Sequence, residues 1–498
     1  MRLKHFTLIL AFAPFLLRGQ DFKDLEKRVT EFTLSNGLHF IVLERHEAPV
    51  VSFHTYVNAG AVDDPSGETG LAHMFEHMAF KGTTTIGTKN YPAEKKALDE
   101  VERIYNRLDA ERDLAFRADP AKIASLEKEL KQAIDKANTY VEPNMYPRII
   151  EENGGVGMNA NTGVDATQYF YSLPANRIEL WFLLESDRLL HPVFREFYKE
   201  RDVVREERRM RIESNPQGKL MEALLAAAFE AHPYRDSPAG WASDIENLRA
   251  PEARQFFKTY YVPSNIAMGI AGDVKPAEIK RLAEKYFAAL PAGPNPPLLH
   301  TIEPPQPGEK NVEVDSPSQP IVALVYKRPD QRDPDDPVFD VISDILSGGR
   351  TAMLYQAMVR DKKIAVAAES AAAYPAGKYP SLFVLLLVPA MGHSGQENEK
   401  ACYEVLERLK DEKVDQATLE RVKTKLRASV IRGLDSNSGM ASQLTWYYVN
   451  YGNWKKLFTA LDDINKVTAD DVQRVARKYF IEASRTVAYT VEPKEEAK

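Results

Sequence analysis

The sequence of 498 residues has very little cysteine. Its single thiol, Cys402, can form neither an internal disulfide nor a cysteine-based metal site. Any metal ion bound by this chain must therefore be held by histidine and carboxylate side chains. A strong excess of charge is also lacking, since 65 basic and 72 acidic residues leave a formal net charge of -7. Nucleic acid is therefore not an expected partner.

Long apolar runs are absent beyond the N-terminus, so no membrane span is expected in the rest of the chain. The N-terminus reads MRLKH, continues as an apolar run over residues 6–17, and then becomes polar and charged. This order predicts a signal peptide over residues 1–20, with an ordinary buried first helix as the alternative. The mature protein is predicted to be exported, and periplasmic if the source is a bacterium.

The rest of the chain predicts two homologous halves. A proline-rich stretch over residues 291–308 predicts a linker between domains at 28–290 and 309–493. The segment from Asp244, DIENLRAPEARQFFKTYYVPSNIAMGI, aligns without a gap with the segment from Asp463, DINKVTADDVQRVARKYFIEASRTVAY. Each reads as an amphipathic helix followed by an apolar strand. The expected fold class is α+β, with a mostly antiparallel sheet packed with helices in each domain.

One region of the first half has no counterpart in the second. Residues 92–146 are rich in Glu, Lys, Ala and Leu, break at Ala118-Asp119-Pro120, and show apolar residues at three- and four-residue spacing. This pattern predicts an antiparallel helical hairpin inserted into the first domain. The hairpin is interpreted either as a docking or gating arm or as a solvated insertion.

The stretch GLAHMFEHMAFKGT carries the first candidate site residues. On a helix, His73 and His77 lie on one face and can direct both imidazoles at one ion, while Glu76 lies beside them. The carboxylate of Glu76 can then reach a metal-bound water as a general base without being a ligand. The alternative is a pair of surface or core histidines.

A hydrolytic zinc site usually has three protein ligands, so a third one is expected downstream. The richest candidate is FYKERDVVREERRMR, which holds Glu200, Glu206 and Glu207. Seven residues on a helix return almost to the same face, so Glu200 and Glu207 are expected to face the site while Glu206 points away. Glu207 is assigned as the ligand and Glu200 as the carboxylate that orients a ligand histidine. The alternative is a solvated, charge-rich helix face.

Together with GGVGMNANTGVDATQYFYSLP from Gly154, these motifs resemble the pitrilysin and insulinase metallopeptidases, the inverzincins. The resemblance is to the smaller bacterial and mitochondrial-processing-peptidase type. It implies zinc as the metal, Glu207 as its third ligand, Glu200 as a supporting residue of the catalytic site, and a clamshell of two homologous domains. It also implies that Asn159 and Ala160 lie on an edge strand that holds an extended peptide by main-chain hydrogen bonds. A turn residue is the alternative for Asn159.

The chain departs from this family in two ways. The interval between His77 and Glu207 is longer than the family's, and the predicted hairpin accounts for the surplus. The family also grips the substrate with an Arg and a Tyr from its non-catalytic half or partner, whereas the strand YPSLFVLLLVPA from Tyr379 has no arginine. A homologous partner subunit or a homodimer is therefore expected to supply such a pair. The alternative is that another residue substitutes for it.

The predicted function is a zinc-dependent endopeptidase that hydrolyses peptides or unfolded polypeptide segments inside a two-domain chamber. Zinc is held by His73, His77 and Glu207, and Glu76 takes a proton from water and passes it to the leaving amine. One alternative is a catalytically silent structural or binding subunit of the same family. The other is a zinc hydrolase of a non-peptide substrate.

Overall fold

A computed structural model describes residues 22–317 and 319–492. The predicted signal peptide over residues 1–20 lies outside the described residues. Among the helices of the described ranges, none combines the length and the apolar character needed to cross a bilayer.

The first half is built on one mixed sheet. Its strands are β1 (Val29–Thr33), β2 (His39–Glu44), β3 (Val50–Val57), β4 (Val156–Thr162), β5 (Thr167–Pro174) and β6 (Ile266–Gly272). Their spatial order in the described residues is β1-β2-β6-β3-β5-β4. Only β2 and β6 run parallel to each other, and the other neighbouring pairs are antiparallel. The strand β4 therefore lies at one edge of the sheet.

The second half repeats this arrangement. Its strands are β7 (Lys310–Asp315), β8 (Val322–Arg328), β9 (Ala365–Tyr374), β10 (Ser381–Pro389) and β11 (Arg485–Val491). Their order, β7-β11-β8-β10-β9, matches β2-β6-β3-β5-β4 strand for strand, and again only the first pair is parallel. The predicted α+β fold of two homologous, mostly antiparallel domains is thus confirmed.

Helices cover both sheets. Those of the first half are α1 (Phe22–Lys27), α2 (Leu71–Met78), α3 (Tyr91–Arg112), α4 (Pro120–Asn138), α5 (Met145–Glu152), α6 (Ile178–Leu190), α7 (Phe197–Arg208), α8 (Pro216–Ala228), α9 (Ala242–Asn247), α10 (Ala250–Tyr260) and α11 (Pro276–Phe287). Those of the second half are α12 (Asp336–Ser347), α13 (Gly395–Asp411), α14 (Gln416–Gly433), α15 (Asn437–Tyr451), α16 (Lys456–Lys466) and α17 (Ala469–Tyr479). Within the ranges that the structure describes, π-helical segments occur at Arg209–Glu213 and Tyr355–Asp361.

The two halves exchange helices. Along β2, Phe40 belongs to the large core that includes α2, whereas its neighbour Ile41 faces the other side and packs with Met440 and Leu444 of α15. In return, α8 of the first half packs through Leu224 and its neighbours against the second sheet. Each sheet is therefore buried on both faces, one of them by a helix from the other half, which explains the continuously apolar central strands.

The predicted hairpin is formed by α3 and α4, which pack against each other and are joined by residues 113–119. Its inner side is apolar and consists of Ala97, Val101, Ile104 and Leu108 of α3 with Leu126, Ala133 and Ala137 of α4. Asn90 and Asp119 accept backbone N–H bonds at the starts of the two helices. Local capping and an apolar stripe therefore both favour this pair.

Residues 291–308, the predicted linker, contain neither helix nor strand. Glu303 fastens this stretch, because its carboxylate accepts N–H bonds from Glu230, Ala231 and His232 at 2.8–3.0 Å and a bond from Lys327 at 3.0 Å. Burial alone would raise the pKa of Glu303, but these four donors outweigh it and lower the pKa to about 2. The linker is thus held to both halves by one ionised side chain.

Close approach of α15 to β6 depends on Gly269. A Cβ atom there would lie 2.3 Å from the carbonyl oxygen of Ala441 and 2.9 Å from Cγ2 of Thr445. We expect Gly269→Ala to push α15 off the first sheet and destabilise the protein by about 1–3 kcal/mol, as overpacking does. Calorimetric melting would show this as a lowered Tm. Gly433→Ala, where nothing lies within 4 Å of the added Cβ, should leave the Tm unchanged or slightly higher.

The Glu303 contact predicts a pH-dependent stability difference. Because the folded-state pKa is lowered, the stabilisation is present above the unfolded-state pKa of about 4.3 and is lost as pH falls toward 2. We expect Glu303→Gln to cost about 1–3 kcal/mol at pH 7. Urea unfolding of both proteins should show that difference shrinking steadily below pH 4. Glu284→Gln, at an exposed position, is the control, and an equal loss for both variants would contradict the assignment.

Candidate metal centre

The helix α2 is fixed at its first turn. Gly70 precedes it with a φ of +90°, a value that favours glycine, and the half-buried carboxylate of Asp64 accepts N–H bonds from Gly70 and Ala72, both at 2.8 Å. The apolar side chains of α2 enter the core of the first half: Leu71, Ala72, Met74 and Phe75. His73, Glu76 and His77 therefore lie toward the opposite side of α2. The position of this helix is set by its core contacts.

The helix α7 presents its carboxylates as the seven-residue spacing predicts. Val204 is fully buried in the core, while Glu200 and Glu207 lie on the side that faces α2. Glu206 instead is exposed and pairs with Arg209 at 2.5 Å. The structure therefore brings Glu200 and Glu207 to the two histidines and leaves Glu206 outside.

Three donor groups converge between α2 and α7. Within the described residues, His73, His77 and Glu207 each offer one donor atom, and these atoms all lie within 4.8 Å of one another. Oε2 of Glu207 is 3.7 Å from Nε2 of His73 and 3.2 Å from Nε2 of His77. Tetrahedral coordination at zinc bond lengths of 2.0–2.2 Å requires donors about 3.4 Å apart. The spacing and the donor chemistry of this group thus fit a divalent ion, and the metal-binding role of the three residues remains a prediction.

The protonation states of the two histidines differ. Burial, aided by the neighbouring His77, lowers the pKa of His73 to about 4, so this ring is neutral at neutral pH and has a lone pair free for a metal. For His77, burial is outweighed by Glu200 and Glu207, and the pKa is raised. The Nδ1 atom of His77 lies 3.6 Å from Oε2 of Glu200. The other ring nitrogen of His77, Nε2, therefore faces Glu207.

Glu200 is held by a second partner that the sequence reading missed. Lys81 donates to Oε1 of Glu200 at 2.5 Å. Burial would raise the pKa of Glu200, but His77 and Lys81 outweigh it and lower the pKa. The carboxylate stays ionised and can fix the orientation of the His77 ring. In the sequence, the signal for this contact was the Lys-Gly-Thr that begins at Lys81 and ends the stretch containing His73 and His77.

Glu76 lies near the donor group without belonging to it. Its side chain is partly buried beside Thr162 of β4, and it is not one of the three residues whose donor atoms converge. Burial raises the pKa of its carboxyl group, while Thr162 and His77 partly oppose the rise. The arrangement leaves one carboxylate between the donor group and the edge strand.

The predicted substrate-binding pair lies on that strand. Asn159 and Ala160 are in the interior of β4, so Asn159 is not a turn residue, and both pair with β5 on the inner side of the strand. Oδ1 of Asn159 accepts the N–H of Ala160 at 2.9 Å. Among the described strands, none pairs with the outer edge of β4. The role of these two residues in binding peptide remains a prediction.

Arg211 is another neighbour of the centre that sequence reasoning missed. Its guanidinium forms an ion pair with Oε1 of Glu207 at 2.6 Å, so the two oxygens of this carboxylate have different partners. Arg211 lies in the π-helical segment that continues α7. The sequence signal was only a run of arginines after Glu207, which by itself predicts a solvated helix end.

The partners of this centre come from one half of the chain. Within the described ranges, the hydrogen-bond and ion-pair partners of His73, His77, Glu200 and Glu207 all precede the linker. The helix α15, which the second half contributes, packs on the opposite face of the first sheet from α2.

Known protein families match two parts of the chain. Residues 40–113 and 131–240 match the family model described as insulinase, peptidase family M16, and residues 247–426 match the one described as peptidase M16 inactive domain. The first match contains every residue of the candidate centre. The interval that it leaves out lies in the helical hairpin.

Individual proteins give the same result. The zinc protease PqqE of Helicobacter pylori is 26% identical over 471 residues, which cover 92% of this chain and 91% of that protein. A probable mitochondrial-processing peptidase subunit beta of Arabidopsis thaliana is 23% identical over 466 residues, covering 91% of this chain and 76% of that protein. The crystal structure of a protease from Helicobacter pylori has a TM-score of 0.77 at 24% identity and covers 93% of this chain and 99% of its own. The similarity to this crystal structure supports the fold of the chain.

The neighbouring glutamates of α7 allow a matched test of the centre. We expect Glu207→Gln to abolish stoichiometric zinc binding, because it removes a charged donor, whereas Glu206→Gln should bind zinc as the wild type does. Glu200→Gln should weaken zinc binding by about 10–100-fold, the usual effect of losing a group that orients a ligand histidine. Zinc content by mass spectrometry and competition with a chelator measure these effects. Equal zinc content in the Glu207 and Glu206 variants would contradict the ligand assignment.

Proposed function

The chain belongs to the insulinase family of peptidases, family M16, and from this premise we propose that it is a zinc-dependent endopeptidase of peptides or unfolded polypeptide segments. The observation that carries the proposal is the juxtaposition of three metal donors, a carboxylate outside the donor group, and an unpaired strand edge. Metal-assisted hydrolysis of a peptide bond uses a Lewis acid, a base and a way to hold the chain, and this arrangement offers groups for all three.

In this proposal His73, His77 and Glu207 hold the zinc ion. When bound, zinc supplies Lewis acidity to the scissile carbonyl and to a water molecule. Glu200 keeps the ring of His77 in place through Nδ1, and Lys81 holds Glu200 in turn. The neutral state of His73 at neutral pH suits it as a ligand.

Glu76 is the proposed general base and acid. It lies one turn beyond His73 on α2, near the donor atoms but outside the donor group, and borders Thr162 of β4. From there its carboxylate takes a proton from the attacking water and delivers it to the leaving amine. No covalent intermediate with the chain is required.

The edge of β4 is the proposed peptide-binding element. An extended peptide pairs with the outer edge of Asn159 and Ala160 through main-chain hydrogen bonds, with little dependence on sequence. Only an extended segment can add to a strand in this way. Folded domains are therefore expected to be poor substrates.

Two alternatives are less well supported. A catalytically silent subunit would have no need of the three donors and Glu76, and the match described as an inactive domain covers residues 247–426, beyond all of them. A zinc hydrolase of a small non-peptide substrate would not require the open edge of β4 beside the centre.

Enclosure of the substrate and export complete the proposal. Because the partners of the centre all precede the linker and α15 covers the far face of the first sheet, the facing wall is expected from a homologous partner subunit or a second copy of this chain. The two-domain chamber expected from the sequence stays a prediction. The relative named a processing-peptidase subunit beta is consistent with such pairing.

The apolar N-terminus supports export, to the periplasm in a bacterium.

The base assignment predicts a variant that separates metal binding from catalysis. Glu76→Gln should retain stoichiometric zinc, since Glu76 is not among the donors, and should lose peptide cleavage by about 100- to 10,000-fold. Cleavage of unfolded casein and of a peptide library, followed by mass spectrometry, measures the loss. Ester and small amide compounds are assayed in parallel. The peptidase proposal fails if wild type and variant degrade peptides equally, or if wild type hydrolyses only the small compounds.

A further inference from the structure

We propose that the cavity between the helical hairpin and α7 is a subsite for a large apolar side chain of the substrate, directly beside the cleavage centre. The cavity has a volume of about 790 Å³, within the range of about 300–1,000 Å³ usual for ligand sites. The inference rests on the proposed peptidase function, because it places the occupant in the same polypeptide that is cleaved.

The two walls of the cavity come from elements far apart in the chain. The hairpin contributes Leu130 and Ile134 from α4, and Tyr105 from α3. The opposite wall carries Val203 of α7 and Met210 of the π-helical segment that follows it. Both are large apolar side chains left in the open, with exposures of 44% and 57%. An apolar occupant would remove them from water.

The hairpin wall is held in place by contacts with α7 itself. The ring of Tyr105 stacks on Tyr198 with centroids 4.6 Å apart, and Arg201 donates to the hydroxyl of Tyr105 at 2.7 Å. Tyr198 donates to Glu102 of α3 at 3.2 Å. These bonds make the hairpin a fixed wall, so the cavity is formed before any ligand enters and little ordering is needed for binding.

The charged residues at the rim determine what the cavity accepts. Lys199 is paired with Glu196 at 2.8 Å, and Glu206 is paired with Arg209 at 2.5 Å. Their charges are thus already balanced within the chain. Asp202 is an exposed carboxylate on the same rim. Because most charged side chains of the lining are already paired, an apolar side chain of the substrate is favoured over a charged one.

Glu207 connects the cavity to the centre. It lines the cavity, and its Oε2 faces the two histidines while its Oε1 is bound by Arg211, which also lines the cavity. A side chain that enters between Met210 and Ile134 therefore belongs to a residue close to the bond that is cleaved. In this proposal the hairpin helps to determine which peptide bonds are cleaved.

The test uses peptides that differ at one position, with Leu, Asn or Glu in turn, scanned along a sequence that the wild type cleaves. We expect kcat/KM to be at least about 10-fold higher for Leu at one position within two residues of the cleaved bond. The double variant Val203→Asn/Met210→Gln should reduce this ratio below about 3-fold. Leu183→Asn, which changes an equally exposed apolar residue on α6 outside the cavity, should keep it. Val203→Trp should fill the cavity and shift the preference to Ala.

Binding of the same peptides to the Glu76→Gln variant, by fluorescence anisotropy, separates this inference from the peptidase proposal. Cleavage without a preference for Leu, or a preference kept in the double variant, overturns the subsite and leaves the peptidase standing. No cleavage by the wild type, with tighter binding of the Leu peptide that depends on Val203, overturns the peptidase and supports the subsite. Loss of the preference in the Leu183 control also overturns the subsite.

Discussion

The packing of α2 against α7 is the contact on which the candidate centre depends. The helix α2 carries two of the three candidate donors and α7 carries the third, and the ring nitrogens of His73 and His77 come within 3.2–3.7 Å of Glu207 only because both helices are seated on the same core. Asp64 and the left-handed Gly70 set the start of α2, and the fully buried Val204 sets the rotation of α7. Donor spacing is therefore a consequence of core packing.

The exchange of helices gives the first sheet the rigidity that this packing requires. With α2 on one face and α15 on the other, the central strands lose access to water on both sides. Gly269 allows the second of these contacts by leaving room for the backbone of α15. The second half, which has no copy of the histidine motif, thus supports the site from behind the sheet.

The proposed peptide-binding edge and the apolar cavity lie where regular structure is left unpaired or uncovered, whereas the three candidate donors lie within α2 and α7. The edge of β4 offers main-chain donors and acceptors, the chain after α7 continues as a π-helix, and the hairpin leaves Val203 and Met210 uncovered. A central strand or a fully packed helix could not serve these purposes, because its bonding groups and apolar surface are already used. The hairpin adds a wall to the centre without changing the donors.

Much of the centre could be predicted from the sequence. Helical periodicity alone separated Glu207 from Glu206 and put Glu200 on the same face, and the four-residue spacing paired His73 with His77, because helix geometry is local. The duplication and the hairpin could also be predicted from the sequence, since periodicity and composition are properties of short segments.

Apart from the meeting of the two histidines with the glutamates of α7, long-range pairing was not predicted. Lys81 on Glu200, Arg211 on Glu207, the seating of α15 and α8 on the opposite sheets, and the cavity under Ile134 depend on which surfaces meet in space. The sequence by itself determined which side chains share a helix face and which segments form helices and strands. Only the tertiary structure decided which faces meet. The free energy gained by burying apolar surface does not depend on which apolar surface covers it, so the shape of the whole core selects the partner.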